Sequence, residues 1–300
     1  MTKHLLYGLG TALITPFKAD QSVDYEALDR LLDTQLTGHV DYLVVLGTTG
    51  EAVTLTAEEK REVRKRIVAY TKQWAATHDT TPLPLVLGVG GNNTAQVISD
   101  LKNMKDELTS DFTAILSVCP YYNKPNQEGL LQHFCAIAEA SPVPIILYNV
   151  PGRTNLNITP ETYARLCKIP NINAVKECNL LQLPEIVKLC GDELNYYSGE
   201  DGLVHFLMSA GGLGVISVVS NIAPSYMSEM VHSYLDGDVK KAWKMQVACQ
   251  DIVKALFCEV NPIPVKEAVN IIGLPGGKCR LPLVDMKDEN KAKLTKAIEE

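Results

Sequence analysis

The chain has 300 residues, of which 46% are hydrophobic and 21% are charged, a composition typical of a globular protein with a sizeable core. Its net charge is −7 and it carries no basic block, which argues against a nucleic-acid partner. Eight scattered cysteines include no C-x-x-C pair, so we expect reduced core thiols rather than a metal site or a disulfide framework.

The N-terminal apolar run is too short for a signal peptide, and no later run reaches membrane length, which predicts a cytoplasmic protein without a membrane partner. The chain then alternates between apolar strands and amphipathic helices. Helices are predicted over 24–36, from an N-cap at Thr56 to about Trp74, over 94–108, over 127–140 and from Thr159 onward. Eight strands are predicted, at 8–17, 42–46, 84–89, 112–118, 143–150, 171–178, 194–198 and 213–218.

These strands are continuously apolar rather than alternating, which indicates burial on both faces, as in a parallel sheet. Eight strand–helix units favour an α/β fold of the (β/α)8 TIM-barrel type over a doubly wound sheet, which usually has fewer strands. We predict a catalytic barrel over 1–237 and a C-terminal α-helical appendage of two or three helices over 238–300. The join is predicted at 236–238, D-G-D.

Reactive residues of such barrels gather at the carboxyl ends of the strands, and the unusual residues of this chain follow its predicted strands. They supply one amine, several phenols and hydroxyls, and one guanidinium, but no pair of histidines or cysteines. Such a set suits carbonyl chemistry through an imine and predicts neither a metal nor an external cofactor. The residues are Thr48, Thr49, Tyr121, Tyr122, Tyr148, Arg153, Lys176 and Gly199.

Lys176 ends the sixth predicted strand, and it is the residue on which the proposed chemistry depends. Burial lowers the pKa of a lysine and leaves a neutral amine that can attack a carbonyl. The alternative interpretation is that Lys176 pairs with Glu177 or reaches solvent.

The other candidates also have two interpretations each. The turn at 47–50, G-T-T-G, could bind a carboxylate through its hydroxyls and N–H groups, or it could be an ordinary glycine turn whose threonines cap a helix. Tyr148 could transfer protons or fill the barrel rim, and Arg153 could bind a carboxylate or form a surface ion pair. Tyr121 and Tyr122 could pack at a subunit contact. The glycine runs at 87–94 and 211–215 do not fit G-x-G-x-x-G, so a phosphorylated ligand is disfavoured.

Five motifs stand in the order and spacing of a known family: 47–51 (G-T-T-G-E), 120–125 (P-Y-Y-N-K-P), 148–154 (Y-N-V-P-G-R-T), 175–177 (V-K-E) and 261–266 (N-P-I-P-V-K). Over its whole length the chain resembles the dihydrodipicolinate synthase (4-hydroxy-tetrahydrodipicolinate synthase) family of the pyruvate-dependent lyases. The resemblance implies condensation of pyruvate with L-aspartate 4-semialdehyde, in the diaminopimelate route to lysine.

The resemblance also implies site roles and an assembly. The pyruvate Schiff base would form on Lys176, and Tyr148 would be the general acid and base. Main-chain groups of Gly199 and Ile216 would shape the pocket. The implied assembly is a homotetramer, built as a dimer of dimers.

Four further residues complete the implied site. Thr49 would link Tyr148 to Tyr122, which the neighbouring subunit lends. Thr48 and Thr49 would hold the pyruvate carboxylate, and Arg153 would bind the semialdehyde carboxylate.

Other activities are open within the same superfamily. N-acetylneuraminate lyase and the keto-deoxy-sugar-acid aldolases would share Lys176 and Tyr148, whereas Arg153 in P-G-R-T favours the synthase. A sensor that binds a keto acid without turnover, and a phosphate-binding isomerase, are alternatives from other classes. The sensor and the isomerase predict that no covalent adduct forms with pyruvate.

Two departures from the family pattern have consequences. Cys178 and the residues after it replace a small-residue pair and a glycine, which predicts a shorter loop after Lys176. At the positions where many relatives bind feedback lysine with histidines and a glutamate, this chain has Ala57, Lys60 and Gln96. We therefore predict an enzyme that is insensitive or nearly insensitive to lysine, which strong inhibition by lysine in a coupled assay would contradict.

Overall fold

Eight parallel strands follow one another around a closed barrel in the order in which they occur in the chain. The structure is a computed structural model and describes residues 5–299. The predicted barrel is therefore confirmed. The strands are β1 (Gly8–Ala12), β2 (Tyr42–Val45), β3 (Leu85–Gly88), β4 (Ala114–Val118), β5 (Ile145–Asn149), β6 (Ile172–Glu177), β7 (Asn195–Ser198) and β8 (Gly214–Ser217).

Helices connect the strands and continue after the last one. None of the helices formed by residues 5–299 is long and apolar enough to cross a membrane. The helices are α1 (Tyr25–Thr37), α2 (Ala57–Thr77), α3 (Thr94–Asn103), α4 (Lys105–Asp111), α5 (Gln127–Ala140), α6 (Pro151–Thr154), α7 (Pro160–Leu166), α8 (Leu183–Cys190), α9 (Val204–Ser209), α10 (Pro224–Leu235), α11 (Val239–Ala248), α12 (Gln250–Leu256), α13 (Ile263–Ile271) and α14 (Asp288–Glu299).

The strands are buried along their lengths, which is why their sequences are continuously apolar. Every residue of β1, β2 and β5 is buried. Burial on both faces is the condition of a parallel sheet covered by helices. Each strand is shorter than its apolar run, because the flanking residues continue as buried loops; β1, for example, ends at Ala12 although the apolar run continues to Phe17.

Local capping explains where several helices begin. The Thr56 side chain accepts a hydrogen bond from the Glu59 N–H, and the Glu59 carboxylate accepts one from the Thr56 N–H. This is the predicted capping box, and the helix that it opens runs three residues beyond Trp74, to Thr77. Thr159 caps α7 as predicted.

Two helix predictions were wrong in detail. The helix predicted over 94–108 breaks at Met104 into α3 and α4. Leu101 and Leu108 are both buried and lie seven residues apart, so the apolar pattern continues through the break and does not reveal it. After residue 238 the described chain forms four helices rather than two or three, because a single residue, Cys249, separates α11 from α12.

Within this barrel the chain forms two compact units. Among the described residues, one comprises Leu85–Ile216 with residues 5–7, and the other comprises Gly8–Pro84 with residues 217–299. The proposed division into a catalytic barrel over 1–237 and a helical domain over 238–300 stays a prediction.

Candidate active site

Lys176 lies on β6 in register with Tyr148 on the neighbouring strand β5. Its side chain is 5% exposed, and its Nζ lies 4.6 Å from the centroid of the Tyr148 ring. Within residues 5–299 no carboxylate forms an ion pair with this amine. Burial lowers the pKa of Lys176, and although Cys178, Asp201 and Glu200 act in the opposite direction, the net shift favours the neutral amine.

Glu177 does not pair with Lys176, because consecutive residues of a strand point to opposite faces of the sheet. Its fully buried carboxylate accepts hydrogen bonds from Asn149 Nδ2 (2.8 Å), the Tyr163 hydroxyl (2.9 Å) and Gln182 Nε2 (3.0 Å). Burial raises the pKa of this carboxyl, which those hydrogen bonds partly offset. The interpretation that Lys176 pairs with Glu177 or reaches solvent is therefore wrong.

Gly199 follows β7 and lies directly against the Lys176 side chain. A Cβ atom at this position would lie 3.3 Å from Lys176 Cε and 2.3 Å from Cys178 Sγ. Only glycine fits such an approach without displacing the side chains around it. Ile216 is buried on β8.

Cys178, the departure noted in the sequence, belongs to this environment. Burial raises the pKa of its thiol to about 12, so the thiol is neutral near pH 7 and is not activated as a thiolate nucleophile. The chain after it turns tightly, with the Asn179 N–H donating to the Glu177 carboxylate (2.6 Å) and Leu180–Gln182 forming a 3-10 turn. The loop after Lys176 is therefore compact.

Arg153 lies on the short helix α6 that follows β5. Proline at the first position of α6 starts this helical turn, and the Thr154 hydroxyl closes it by donating to the Val150 carbonyl. Arg153 is exposed, and its positive charge contributes to the lowered pKa of Lys176.

Tyr122 points away from the described chain. Its side chain is 89% exposed, and its backbone φ of 73° lies in the left-handed region that a tyrosine rarely adopts. Two reciprocal hydrogen bonds hold this loop, from Asn92 Nδ2 to the Tyr121 carbonyl (3.1 Å) and from Asn123 Nδ2 to the Asn92 carbonyl (2.9 Å). The loop therefore presents the Tyr122 ring outward at a fixed position.

Thr48 and Thr49 lie on a tight turn after β2 in the other compact unit. The Glu51 N–H donates to the Thr48 carbonyl (3.1 Å), and Glu51 adopts a left-handed φ of 51°. Thr48 is exposed, whereas Thr49 is only 3% exposed. Neither threonine caps α2, whose N-cap is Thr56, so the helix-capping alternative for this turn is wrong.

Sequence reasoning missed the contacts that hold this turn. Asn261 Nδ2 donates to Thr49 Oγ1 (2.9 Å), and Lys266 Nζ donates to Glu51 Oε1 (2.8 Å). Both residues belong to the motif at 261–266, N-P-I-P-V-K, which was the only available signal. Across residues 5–299 no group of three or more histidine, cysteine, aspartate or glutamate side chains is arranged to hold a metal ion.

Comparisons with known proteins agree on one family. The model of the dihydrodipicolinate synthetase family matches residues 5–300. The 4-hydroxy-tetrahydrodipicolinate synthase of Acetivibrio thermocellus is 44% identical over 290 residues, which cover 97% of this chain and 95% of the relative.

Solved structures give the same result. The lysine-bound dihydrodipicolinate synthase of Cyanidioschyzon merolae has a TM-score of 0.91 and 36% identity, covering 99% of this chain and 98% of that chain. A monomeric dihydrodipicolinate synthase variant has a TM-score of 0.91 and 37% identity, covering 98% and 96%. Identity and coverage at these levels make the relationship one of sequence as well as of fold.

Proposed function

Because this chain belongs to the dihydrodipicolinate synthetase family, we propose that it is a carbon–carbon bond-forming lyase that condenses pyruvate with L-aspartate 4-semialdehyde. Its activity would be that of 4-hydroxy-tetrahydrodipicolinate synthase. The observation that carries the proposal is the buried amine of Lys176, which lies beside Tyr148 and forms no ion pair with a carboxylate of residues 5–299. A cytoplasmic location stays a prediction from the sequence.

In the proposed mechanism Lys176 Nζ attacks the keto carbon of pyruvate and forms a carbinolamine. The former carbonyl oxygen takes up protons and leaves as water, which gives an iminium ion. Loss of a methyl proton then gives an enamine, whose carbon attacks the aldehyde carbon of the second substrate while the aldehyde oxygen takes up a proton. The amino group of the semialdehyde then attacks the imine carbon, and the Lys176 amine leaves, which closes the ring and releases the product. Tyr148, next to the amine, would transfer these protons. The covalent intermediate on Lys176 acts as the electron sink, so the proposal includes no external cofactor.

The carboxylate-binding roles rest on the sequence resemblance. Thr48 and Thr49 would hold the pyruvate carboxylate, and Arg153 would bind the carboxylate of the semialdehyde. The planar guanidinium matches a carboxylate in a bidentate manner, and its exposed position suits a group that meets the second substrate. Gly199 and Ile216 would shape the pocket around the imine.

Tyr122 would act in the site of a neighbouring subunit, where Thr49 would link it to Tyr148. The exposure of its ring and the fixed loop beneath it support this role. The proposed assembly is a homotetramer built as a dimer of dimers, in which the dimer is the smallest competent unit.

Product analysis tests the proposed reaction. The enzyme is incubated with pyruvate and L-aspartate 4-semialdehyde, and pyruvate consumption and the cyclic product are followed by mass spectrometry. N-acetylmannosamine and a small sugar aldehyde serve as competing acceptors. Product from the semialdehyde alone supports the synthase, product from a sugar acceptor identifies a sugar-acid aldolase, and binding of pyruvate without turnover identifies a sensor. The Lys168→Ala variant, which alters an exposed ion pair with Glu193, is the control and should retain activity.

A further inference from the structure

The hydroxyl of Thr49 is held by a residue that lies 212 positions later in the chain. Asn261 Nδ2 donates a hydrogen bond of 2.9 Å to Thr49 Oγ1, and both side chains are more than nine-tenths buried. A buried polar contact of this kind is costly to leave unmade. The contact therefore fixes both the position of the Thr49 oxygen and one of its hydrogen-bonding directions.

The segment that carries Asn261 is bound to the same turn by further contacts. Asn261 immediately precedes the N-terminal end of α13, and Lys266 on that helix binds the turn a second time through Glu51. Lys266 Nζ also donates to the Lys278 carbonyl (2.8 Å), and the Arg280 N–H donates to Glu51 Oε2 (2.9 Å). The segment over residues 261–280 thus binds the turn through Thr49, before Gly50, and through Glu51, after it.

The hydrogen-bonding capacity of a hydroxyl decides what this contact does. A threonine hydroxyl has one proton to donate and two lone pairs that accept. Because the Asn261 amide occupies one lone pair, Thr49 keeps one lone pair and its own proton for two other partners. It can then accept a proton from one hydroxyl group while its own proton passes to another, which leaves the hydroxyl unchanged overall.

We propose that Asn261 is a positioning residue that orients the Thr49 hydroxyl as a two-way proton link between Tyr148 and Tyr122. This inference rests on the proposed function, which places Thr49 between those two tyrosines. In this proposal Asn261 acts on the reaction only through Thr49.

The discriminating variant is Asn261→Asp, which keeps the shape of the side chain but replaces the donor with an acceptor. The Thr49 proton would then be drawn to the carboxylate, so that no proton remains for the second tyrosine. We expect kcat at saturating pyruvate to fall about 10²-fold at pH 8.5, the order of magnitude of one general acid–base contribution. Toward pH 6 the ratio of variant to wild-type kcat should rise, because a protonated carboxyl group can donate again.

Two further variants separate orientation from packing. Asn261→Ala removes the donor without adding an acceptor, so at pH 8.5 its kcat should lie between those of the wild type and Asn261→Asp, and its ratio to the wild-type kcat should not change with pH. In a Thr49→Val background, which has no hydroxyl to orient, Asn261→Asp should cause no further loss of kcat. Asn270→Asp is the matched control in the same segment, since its exposed side chain binds the backbone of Gly276 and Gly277 rather than Thr49.

Several outcomes would overturn the inference. If Asn261 only fills space, Asn261→Ala would be the worse variant and the kcat ratio would not change with pH. If the new carboxylate only repels pyruvate, KM for pyruvate would rise while kcat stayed constant. If the wild type forms a pyruvate adduct but no semialdehyde product, the proposed substrate is wrong, and the same comparison is made on the rate of adduct formation. If the wild type forms no adduct, both proposals fall.

Discussion

At the scale of single residues, Gly199 shows how closely the backbone approaches the reactive amine. In Gly199→Ala the added Cβ would lie 2.3 Å from Cys178 Sγ and 3.3 Å from Lys176 Cε, so the Cys178 side chain must move and the lysine must shift slightly. We expect the rate of pyruvate adduct formation to fall about 10-fold, since a displacement of about 1 Å can cost about 10²-fold and this shift is smaller. Stopped-flow measurement of adduct formation checks this.

Two variants control for the effect of the added methyl group. Gly91→Ala places its Cβ 3.6 Å from Val97, an ordinary contact, and should react like the wild type. Cys178→Ala removes the nearest obstacle, so the double variant Cys178→Ala/Gly199→Ala should recover part of the lost rate. Equal rates for Gly199→Ala and the wild type would show that the lysine does not need this close approach.

The Arg153→Ala variant tests whether Arg153 binds the semialdehyde and not pyruvate. Arg153→Ala should form the pyruvate adduct on Lys176 as the wild type does but lose about 10²-fold in kcat/KM for the semialdehyde. This loss corresponds to the roughly 1.5–3 kcal/mol contributed by a hydrogen bond to a charged group. Arg165→Ala, which removes an exposed ion pair with Glu128, is the control and should change neither value. If semialdehyde use survives in Arg153→Ala, the carboxylate role is wrong.

At the scale of elements, the buried ion pair between Lys266 and Glu51 fastens α13 to the turn after β2. Both side chains are 2% exposed, so Lys266→Met would leave the Glu51 charge buried and without its ammonium partner. We expect the free energy of unfolding in urea to fall by about 3–5 kcal/mol, and the double variant Lys266→Met/Glu51→Gln to be more stable than Lys266→Met alone. Lys254→Met, at an exposed pair with Asp251, should change stability little. Equal stability of Lys266→Met and the wild type would contradict this account.

The sequence predicts elements well where burial and capping act locally. The strand at Ile172–Glu177 is recognisable because its apolar residues are contiguous, and Thr56 with Glu59 marks the start of α2. Sequence-based prediction fails where a helix breaks without a change in the spacing of its apolar residues, as at Met104. It also fails for contacts between residues far apart in the chain, since no residue near Thr49 in the sequence indicates that its hydrogen-bond partner is Asn261.

At the scale of the whole molecule, the proposal that Tyr122 acts across a subunit interface predicts complementation. Lys176→Ala and Tyr122→Phe subunits should each have little activity alone. After mixing and reassociation, half of the dimers are mixed, and in each one site combines an intact Lys176 with an intact Tyr122 from its partner. We therefore expect about a quarter of the wild-type activity to return. If Tyr122 acts within its own subunit, mixing restores nothing.

The central claim is that the Lys176 amine captures pyruvate as an imine. The most direct measurement is reduction with borohydride in the presence of pyruvate, followed by digestion and mass spectrometry of the peptide that contains residue 176. The account predicts one reduced pyruvate on Lys176 and none on the Lys176→Ala variant. An unmodified Lys176 in an enzyme that still consumes pyruvate, or an adduct that persists in Lys176→Ala, would contradict it.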